Sequence, residues 1–414
     1  MRSGLYHELV EKGLMISHEE IGPDSGDHDV YKVIRPEQIP FQSYPFEWSY
    51  SQWRKALIAF LGINGIALKY GMILKDATPF NFYITKGKAV LLDTTSFILF
   101  ANNDLWIAYR QFCEEFLGPL ALMHYNGDQW SELVSAYTRG LPLAFISRQL
   151  RRSSWFNLTC LLHIHLHGRF QGASAKPQKG FTAEKLSSLF AMIRSTALSW
   201  DEPYRLRSIW KDYYDGGGAE YIAEKEKTVT KWLDEIRPQT VADLGANTGR
   251  FAFIAATHAD YVIAIDKDES CVDRIEDEIE ERSIANITAL TVNLAEPSPA
   301  RGVLNKEYPS IFDRGKSDMV LGLALVHHLC IDLNISMQLV AETFSLFCSR
   351  FAIVEFVPPD DERVVQLIEN RGGIFTRYSE ELFIAAFSAE FDQVKEAELG
   401  AGKRKLYLFR KRQA

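Results

Sequence analysis

The sequence has 414 residues but few cysteines, and no two of them form a close pair. The five cysteines stand at positions 113, 160, 271, 330 and 348. An odd, widely spaced set predicts neither a disulfide framework nor a structural zinc site. We therefore expect no metal centre and a protein of the reducing cytoplasm.

The sequence also lacks a long hydrophobic run. Its most apolar stretch, residues 56–68, is interrupted by Gly62, Asn64 and Gly65 and is shorter than the roughly 20 residues that cross a bilayer. The first residues show no signal-peptide pattern, since Glu8 interrupts them early. We expect a soluble protein without a membrane partner.

An excess of positive charge is absent as well. Lys and Arg number 46 against 54 for Asp and Glu, which gives a net charge of -8. This balance argues against a general affinity for nucleic acids or anionic membranes. A composition of 47% apolar and 24% charged residues is typical of globular proteins, and the length predicts two or three domains.

Short apolar strands alternate with helical stretches from about residue 240 onward, which predicts an α/β fold with a parallel sheet. A helix at 380–387, with Ser379 as its N-cap, precedes two last strands that form an antiparallel hairpin. The seven predicted strands are 241–244, 261–265, 287–292, 318–323, 350–356, 393–397 and 405–410.

The strongest local motif follows the first of these strands. Asp243, Gly245, Asn247 and Gly249 form a turn in which backbone can approach a ligand closely. The turn lacks the G-x-G-x-x-G spacing of a dinucleotide site. Asp266 ends the second strand, where a carboxylate can accept both hydroxyls of a ribose. The residues indicate an adenosine-bearing cofactor without a diphosphate, although two glycines also occur in a plain tight connection.

This arrangement resembles motifs I and II of the class I S-adenosylmethionine-dependent methyltransferases. The resemblance implies S-adenosylmethionine as the cofactor and a Rossmann-like seven-stranded domain with a reversed final hairpin. It implies that Asp243 lies near the methionine part of the cofactor and that Gly245 passes beneath the sugar. Asn293, after the third strand, would accept a bond from the adenine amino group. Asn247, Gly249 and Leu323 complete the expected cofactor-binding set.

Two histidines follow the fourth strand at the sheet edge where open α/β folds bind ligands. His327 or His328 could take a proton from the acceptor, and we prefer His328. Alternatively, the histidines only order the loop or close over the cofactor. Glu355, at the end of the fifth strand, is a further candidate on the acceptor side.

The Asn/Asp-Pro-Pro-Tyr tetrapeptide typical of DNA-base methylation is absent. We therefore expect transfer of a methyl group to an oxygen or nitrogen atom of a small molecule, and no nucleic-acid partner. The rival hypotheses are a scaffold that binds S-adenosylmethionine without turnover and a kinase-like phosphotransferase. The oligomeric state is not predicted.

Three parts of the chain are expected: an α+β domain at 1–195, a helical linker or lid at 196–235, and the methyltransferase domain at 236–414. The first part contains a predicted helix at 53–70 and a hairpin at 81–92 that turns at Gly87. The segment 172–180 has the composition of a linker. Aromatic residues before the glycines at 216–218 suggest a lid or an interdomain helix.

Asp76 and Asn81, followed one hairpin later by Asp93, resemble a kinase-type catalytic loop and its metal-binding acid. No glycine-rich loop or lysine strand precedes them, so an active kinase, a degenerate kinase-like module and coincidence all stay open. His163, His165 and His167 could ligate a metal, but no acidic or thiol partner has ligand spacing, which favours a structural role.

Segments 45–49, 74–77, 106–113 and 323–329 are together similar to a bacterial family of two-part methyltransferases described as similar to the nodulation protein NoeA. This resemblance covers most of the chain. It implies that the N-terminal part regularly accompanies the transferase domain, and it says little about the substrate.

Overall fold

The computed structural model describes residues 3–21, 32–127, 130–169, 180–203, 219–372, 377–400 and 404–412. The chain divides into two units, Met1–Arg207 and Ser208–Ala414. The predicted linker at 172–180, apart from Gly180, and the aromatic and glycine residues at 204–218 lie outside the described residues. Among the described residues, no helix is both long and apolar enough to cross a membrane.

The first unit mixes helices with three two-stranded antiparallel sheets, β1–β2, β3–β6 and β4–β5. Its strands are β1 (His18–Ile21), β2 (Val33–Pro36), β3 (Met72–Leu74), β4 (Phe82–Thr85), β5 (Lys88–Leu91) and β6 (Phe97–Leu99). Its helices are α1 (Leu5–Glu11), α2 (Tyr50–Lys69), α3 (Tyr109–Phe112), α4 (Gly118–Asn126), α5 (Trp130–Ala136), α6 (Leu143–Gln149), α7 (Leu158–Cys160), α8 (His167–Arg169) and α9 (Ala183–Ser199).

Helix α2 lies in the core of this unit and confirms the predicted helix, beginning three residues earlier and ending one residue earlier. Ser49 and Gln52 form a capping box at its start. Near its end, the buried Asn64 side chain accepts a hydrogen bond from the Leu74 amide at 3.0 Å, which joins the helix to β3. The predicted hairpin is β4–β5, and its turn residues Lys86 and Gly87 both have positive φ, as a type I′ turn requires.

The kinase-like residues lie on the loops around this hairpin. Asp76 and Asn81 fall between β3 and β4, and Asp93 follows β5, where its Oδ1 accepts from the Thr95 amide at 2.9 Å. In the described part of the chain, no group of three or more His, Cys, Asp or Glu side chains could hold a metal ion. The kinase-like interpretation stays a prediction.

Two of the three histidines around position 165 have polar partners in the core. His163 Nδ1 lies 2.7 Å from the Tyr109 hydroxyl. The ring nitrogens of His165 each lie 2.9 Å from a serine hydroxyl, those of Ser147 and Ser154. These contacts fit the structural role that the sequence favours.

The second unit contains the predicted seven-stranded sheet, with strand order β12-β13-β11-β10-β7-β8-β9. The pairs from β11 to β9 are parallel, while β13 is antiparallel to both β11 and β12. The strands are β7 (Thr240–Leu244), β8 (Tyr261–Asp266), β9 (Ile287–Thr291), β10 (Ser317–Gly322), β11 (Cys348–Phe356), β12 (Phe391–Leu399) and β13 (Arg404–Lys411).

Helices connect these strands, and a long helix precedes the first one. The Ser379 side chain accepts from the Leu382 amide, so the predicted N-cap is confirmed. The helices are α10 (Ala219–Ile236), α11 (Arg250–Ala256), α12 (Glu269–Arg282), α13 (Ile311–Arg314), α14 (Met337–Phe347), α15 (Glu362–Asn370) and α16 (Glu380–Glu390).

Candidate functional site

A cavity in the second unit lies at the sheet edge where β7, β8, β9 and β10 end. Three residues of the expected set, Asp243, Gly249 and His327, are not among the described residues that line it. The other six do line it, namely Gly245, Asn247, Asp266, Asn293, Leu323 and His328.

The turn after β7 brings backbone to the cavity. The amides of Gly245 and Ala246 both donate to the Ile265 carbonyl, at 2.8 and 2.9 Å, which fastens the turn to β8. Gly245 has φ of 73°, and a Cβ there would lie 3.0 Å from Leu325 Cδ1, a side chain of the cavity wall. The backbone conformation therefore favours glycine, and a Cβ at this position would also require Leu325 to move by a few tenths of an ångström.

Asp266 is held in place by two backbone amides. Its Oδ2 accepts from the Asn247 amide at 2.7 Å, and its Oδ1 accepts from the Asp268 amide at 2.9 Å. Burial raises the pKa of this carboxyl, and the two amide bonds oppose that rise. Each carboxylate oxygen keeps a further lone pair for a ligand in the cavity.

The opposite wall comes from the segments after β9 and β10. The Asn293 side-chain oxygen accepts from the Ala295 amide at 3.0 Å, which leaves one lone pair on that oxygen for a ligand. Leu323 is buried, and Ala324 beside it has φ of 53°, a left-handed conformation that is uncommon outside glycine. Such strain at a cavity wall is typical of functional sites.

Asp243 lies at the end of β7 and is buried. Its Oδ2 has no hydrogen-bond partner among the described residues. Burial raises the pKa of the Asp243 carboxyl to about 7, and the nearby Lys225 ammonium opposes this rise. An unsatisfied buried carboxylate oxygen is costly and fits a hydrogen-bond donor supplied by a ligand.

Lys225, on α10, lines the same cavity and was not predicted as a site residue. Its ammonium pairs with Glu355 at 2.5 Å. The Tyr221 hydroxyl donates to the other Glu355 oxygen and accepts from Arg404 Nη1 at 3.0 Å. Arg404 in turn makes a two-bond pair with Asp361, at 2.8 and 3.1 Å. We call these five residues the buried charge network.

The sequence contains a pattern that could have identified Lys225 as a site residue. Buried apolar residues of α10 recur with helical spacing at Ile222, Val229 and Leu233. Lys225 occupies the position of this stripe where an apolar residue is expected. A lysine on the buried face of a helix is rare without a partner or a ligand. Glu355, predicted for the acceptor side, does not line the cavity and is that partner.

The two histidines have different surroundings. His327 is fully buried, and neither ring nitrogen has a hydrogen-bond partner among the described residues. His328 lines the cavity, and its Nδ1 lies 2.8 Å from Asp332 Oδ2. Burial lowers the pKa of both imidazoles, and for His328 the Asp332 carboxylate opposes that fall. His328 and Asp332 share a π-helical turn, His328–Asp332, a feature frequent at functional sites.

The fold and the cavity define an α/β protein with a cavity at the carboxyl edge of a seven-stranded sheet. No protein-family model matches the sequence. The chain is similar to the nodulation protein NoeA of Rhizobium meliloti (strain 1021), with 28% identity over 419 residues. The similarity takes in 97% of this chain and 87% of NoeA, so it reaches nearly the whole chain, as the family resemblance predicts.

Two solved structures overlap with part of the chain. One is the N-methyltransferase NodS from Bradyrhizobium japonicum WM9 in complex with S-adenosyl-l-homocysteine, at 12% identity, over 49% of this chain and 93% of NodS, with a TM-score of 0.37. The other is the magnesium protoporphyrin IX methyltransferase ChlM from Synechocystis PCC 6803 with bound SAH, at 18% identity, over 49% of this chain and 92% of ChlM, with a TM-score of 0.36. Structural similarities with TM-scores this low are not evidence about the function of the chain.

Proposed function

We propose that the chain is an S-adenosylmethionine-dependent methyltransferase and that the cavity of the second unit binds its cofactor. The observation that carries this proposal is the geometry of Asp266. Two backbone amides fix its carboxylate at the cavity, and both oxygens retain lone pairs for a ribose diol. A scaffold that binds S-adenosylmethionine without turnover would use the same site.

The other walls supply groups that suit the rest of this cofactor. Asn293 has an acceptor for the adenine amino group. Lys225 lines the cavity, and its ammonium suits the carboxylate of the methionine part. Asp243 lies behind the lining residues, and its unsatisfied oxygen would reach the α-ammonium only if the wall opens when the cofactor binds. Asn247, Gly245 and Leu323 add contacts along the sugar and base, while Gly249 is the N-cap of α11 behind the turn.

The cofactor supplies an electrophilic methyl group on a sulfonium centre. The chain contributes by holding an acceptor in line with that methyl group. The leucine side chains that line the cavity limit the access of water, which would compete with the acceptor. Because His328 Nδ1 faces the Asp332 carboxylate, Nε2 is the nitrogen that can take a proton. The lone pair of a small-molecule acceptor would attack the methyl carbon as the carbon–sulfur bond breaks and a neutral thioether leaves. The O–H or N–H proton of the acceptor would pass to His328 Nε2.

Calorimetric titration with S-adenosylhomocysteine tests the cofactor site. Asp266→Asn is expected to weaken binding by about tenfold or more, because it removes a charged acceptor. Asp260→Asn is the matched control, since Asp260 is exposed at the opposite end of β8. Equal affinities for wild type and both variants would show that the site is wrong.

Turnover is tested separately with methyl-labelled cofactor, host extract and mass spectrometry of the products. A labelled small molecule is the expected result. Binding without any labelled product would favour the scaffold. Magnesium-dependent ATP consumption that disappears in Asp76→Ala would instead favour a kinase-like phosphotransferase.

We also propose that the first unit controls access of the acceptor. The similarity to NoeA over both units supports a common role for the two parts. Substitutions in the first unit are then expected to change the acceptor KM and to leave cofactor affinity unchanged. Variants that change neither would contradict this role.

A further inference from the structure

A second, smaller pocket lies within the first unit and is lined mainly by rings. Its walls include Phe46, Trp53, Phe80 and Tyr137, together with three prolines at positions 45, 79 and 119. Its one charged lining residue among those described is Glu115. The pocket therefore combines aromatic surfaces with one carboxylate.

The aromatic walls are fixed by the chain around them. Phe46 follows Pro45 in one 3₁₀ turn, and Phe80 follows Pro79 in another. The rings of Phe46 and Phe80 lie 6.1 Å apart. The buried Trp53, on α2, packs edge to face on the Trp48 ring at 5.8 Å. Rings held in this way lose little freedom when a ligand binds.

Glu115 approaches the pocket because Gly140 leaves room for it. A Cβ on Gly140 would lie 2.7 Å from Glu115 Cγ, and Gly140 also has φ of 76°. The Thr78 and Gln111 side chains lie close enough to the Glu115 carboxylate to lower its pKa by hydrogen bonding, against the larger rise that burial causes. These bonds leave lone pairs on its oxygens.

The charges around Glu115 are of its own sign. Glu114 and Asp76 both raise its pKa, in addition to the larger effect of burial. Glu114 is itself paired with Arg110 at 3.2 Å. Among the described residues, no cation is within ion-pair distance of Glu115. The described residues of the pocket consequently supply no countercharge to Glu115.

We propose that this pocket binds the ammonium group of a small organic cation. Aromatic faces attract such groups through the negative face of the ring, and Glu115 provides the countercharge. A metal ion would need several oxygen ligands, which apolar rings and prolines do not provide. Anions are repelled by Glu115, Glu114 and Asp76. This proposal is independent of methyl transfer and of the cofactor site.

Binding to the full-length protein is measured by calorimetry and by quenching of tryptophan fluorescence, since Trp53 lines the pocket. The probes are choline, ethanolamine and 3,3-dimethylbutan-1-ol, the neutral isostere of choline. At least one of the two cations is expected to bind, about tenfold or more tightly than the neutral alcohol. If neither cation bound more tightly than the alcohol, or if neither bound at about 10 mM, the proposal would be overturned.

Glu115→Gln is expected to weaken binding of the cation about tenfold and to leave affinity for the alcohol unchanged. Glu114→Gln is the matched control, because that neighbouring acid does not line the pocket; it is expected to change affinity by less than about threefold. Phe80→Leu keeps an apolar wall but removes the ring, so it gives a second readout if Glu115→Gln fails to fold. Unchanged cation binding in Phe80→Leu would contradict a role for the aromatic faces.

Discussion

Lys225 Nζ lies 2.5 Å from Glu355 Oε2, and the two side chains are only 4% and 0% exposed. The pair joins α10, the helix that precedes the sheet in sequence, to the end of β11, which is an interior strand of the sheet. Because Lys225 also lines the proposed cofactor cavity, the position of its ammonium depends on a residue 130 positions further along the chain.

Glu355→Gln should strongly destabilise the second unit. The change keeps the side-chain shape but leaves the Lys225 ammonium buried without its countercharge, which typically costs about 3 to 5 kcal/mol. Burial already lowers the pKa of Lys225, and loss of Glu355 lowers it further. The loss of stability should therefore grow as the pH falls, because the unfolded lysine then binds a proton that the folded one resists. Urea denaturation at pH 6 and pH 9 measures this.

The matched control for this prediction is Glu235→Gln. Glu235 pairs with Lys395, but these side chains are 38% and 42% exposed, so water screens the charges. The expected loss is much smaller than that for Glu355→Gln and depends little on pH. Equal losses in the two variants would contradict a special role for the buried pair.

Asp243→Asn should stabilise the ligand-free protein at neutral pH while weakening cofactor binding. Burial raises the pKa of the Asp243 carboxyl from 3.8 to about 7. Between these pH values the folded state retains a proton that the unfolded state releases, so this group lowers stability as the pH rises. Asparagine does not titrate, and the gain should approach about 4 kcal/mol above pH 7 and vanish near pH 4.

The measurement is the difference in unfolding free energy between variant and wild type at several pH values, with S-adenosylhomocysteine affinity measured in parallel. The difference between the proteins removes the contributions of titrating groups that do not interact with Asp243, whereas Lys225 and Asp266 do interact with it. A constant difference across pH 4 to 8 would show that Asp243 is ionised normally in the fold.

The seven strands could be predicted because each buried parallel strand is a short apolar run, a local property of the sequence. The turn at Gly245 and the acid at Asp266 could be found for the same reason, since a strand directly precedes each. The ion pair between Lys225 and Glu355 could not be predicted from such local patterns. Their contact depends on tertiary packing of elements far apart in sequence, and a charged residue in a buried position contradicts the average pattern.

Asp332→Asn should shift the pH profile of methyl transfer. Asp332 raises the pKa of His328 against the larger lowering effect of burial. If His328 is the base, kcat/KM falls as the pH drops through the His328 pKa, which lies below 6.5. Without the Asp332 carboxylate this acid limb moves to lower pH, and kcat falls because the imidazole is less well oriented.

A role of Asp332 in folding alone would lower the amount of active protein without moving the acid limb. His328→Gln is expected to remove the limb altogether, with S-adenosylhomocysteine affinity changed by less than about threefold. An acid limb that persists in His328→Gln would exclude this residue as the base and would favour the alternative in which the histidine only orders the loop.

Gly245 and Gly249 belong to one turn but should respond differently to alanine. A Cβ on Gly249 would lie 2.8 Å from Phe253 Cε2 and 2.9 Å from Ile275 Cγ1, behind the cavity. Gly249→Ala should cost about 2 to 4 kcal/mol of stability through overlap and left-handed strain. Gly372→Ala, at φ of 76° with nothing within 4 Å, measures the strain alone and should cost about 1 kcal/mol.

Gly245→Ala should instead act on the ligand, because its Cβ would push Leu325 within the cavity wall. The expected result is S-adenosylhomocysteine affinity at least about tenfold weaker for Gly245→Ala, while folded Gly249→Ala stays within about threefold of wild type. Calorimetric titration at a temperature where all variants are folded separates the effect on ligand affinity from the effect on stability. If both substitutions weakened binding equally, Gly249 would also contact the ligand, as the family resemblance implies, and the cavity would extend to the start of α11.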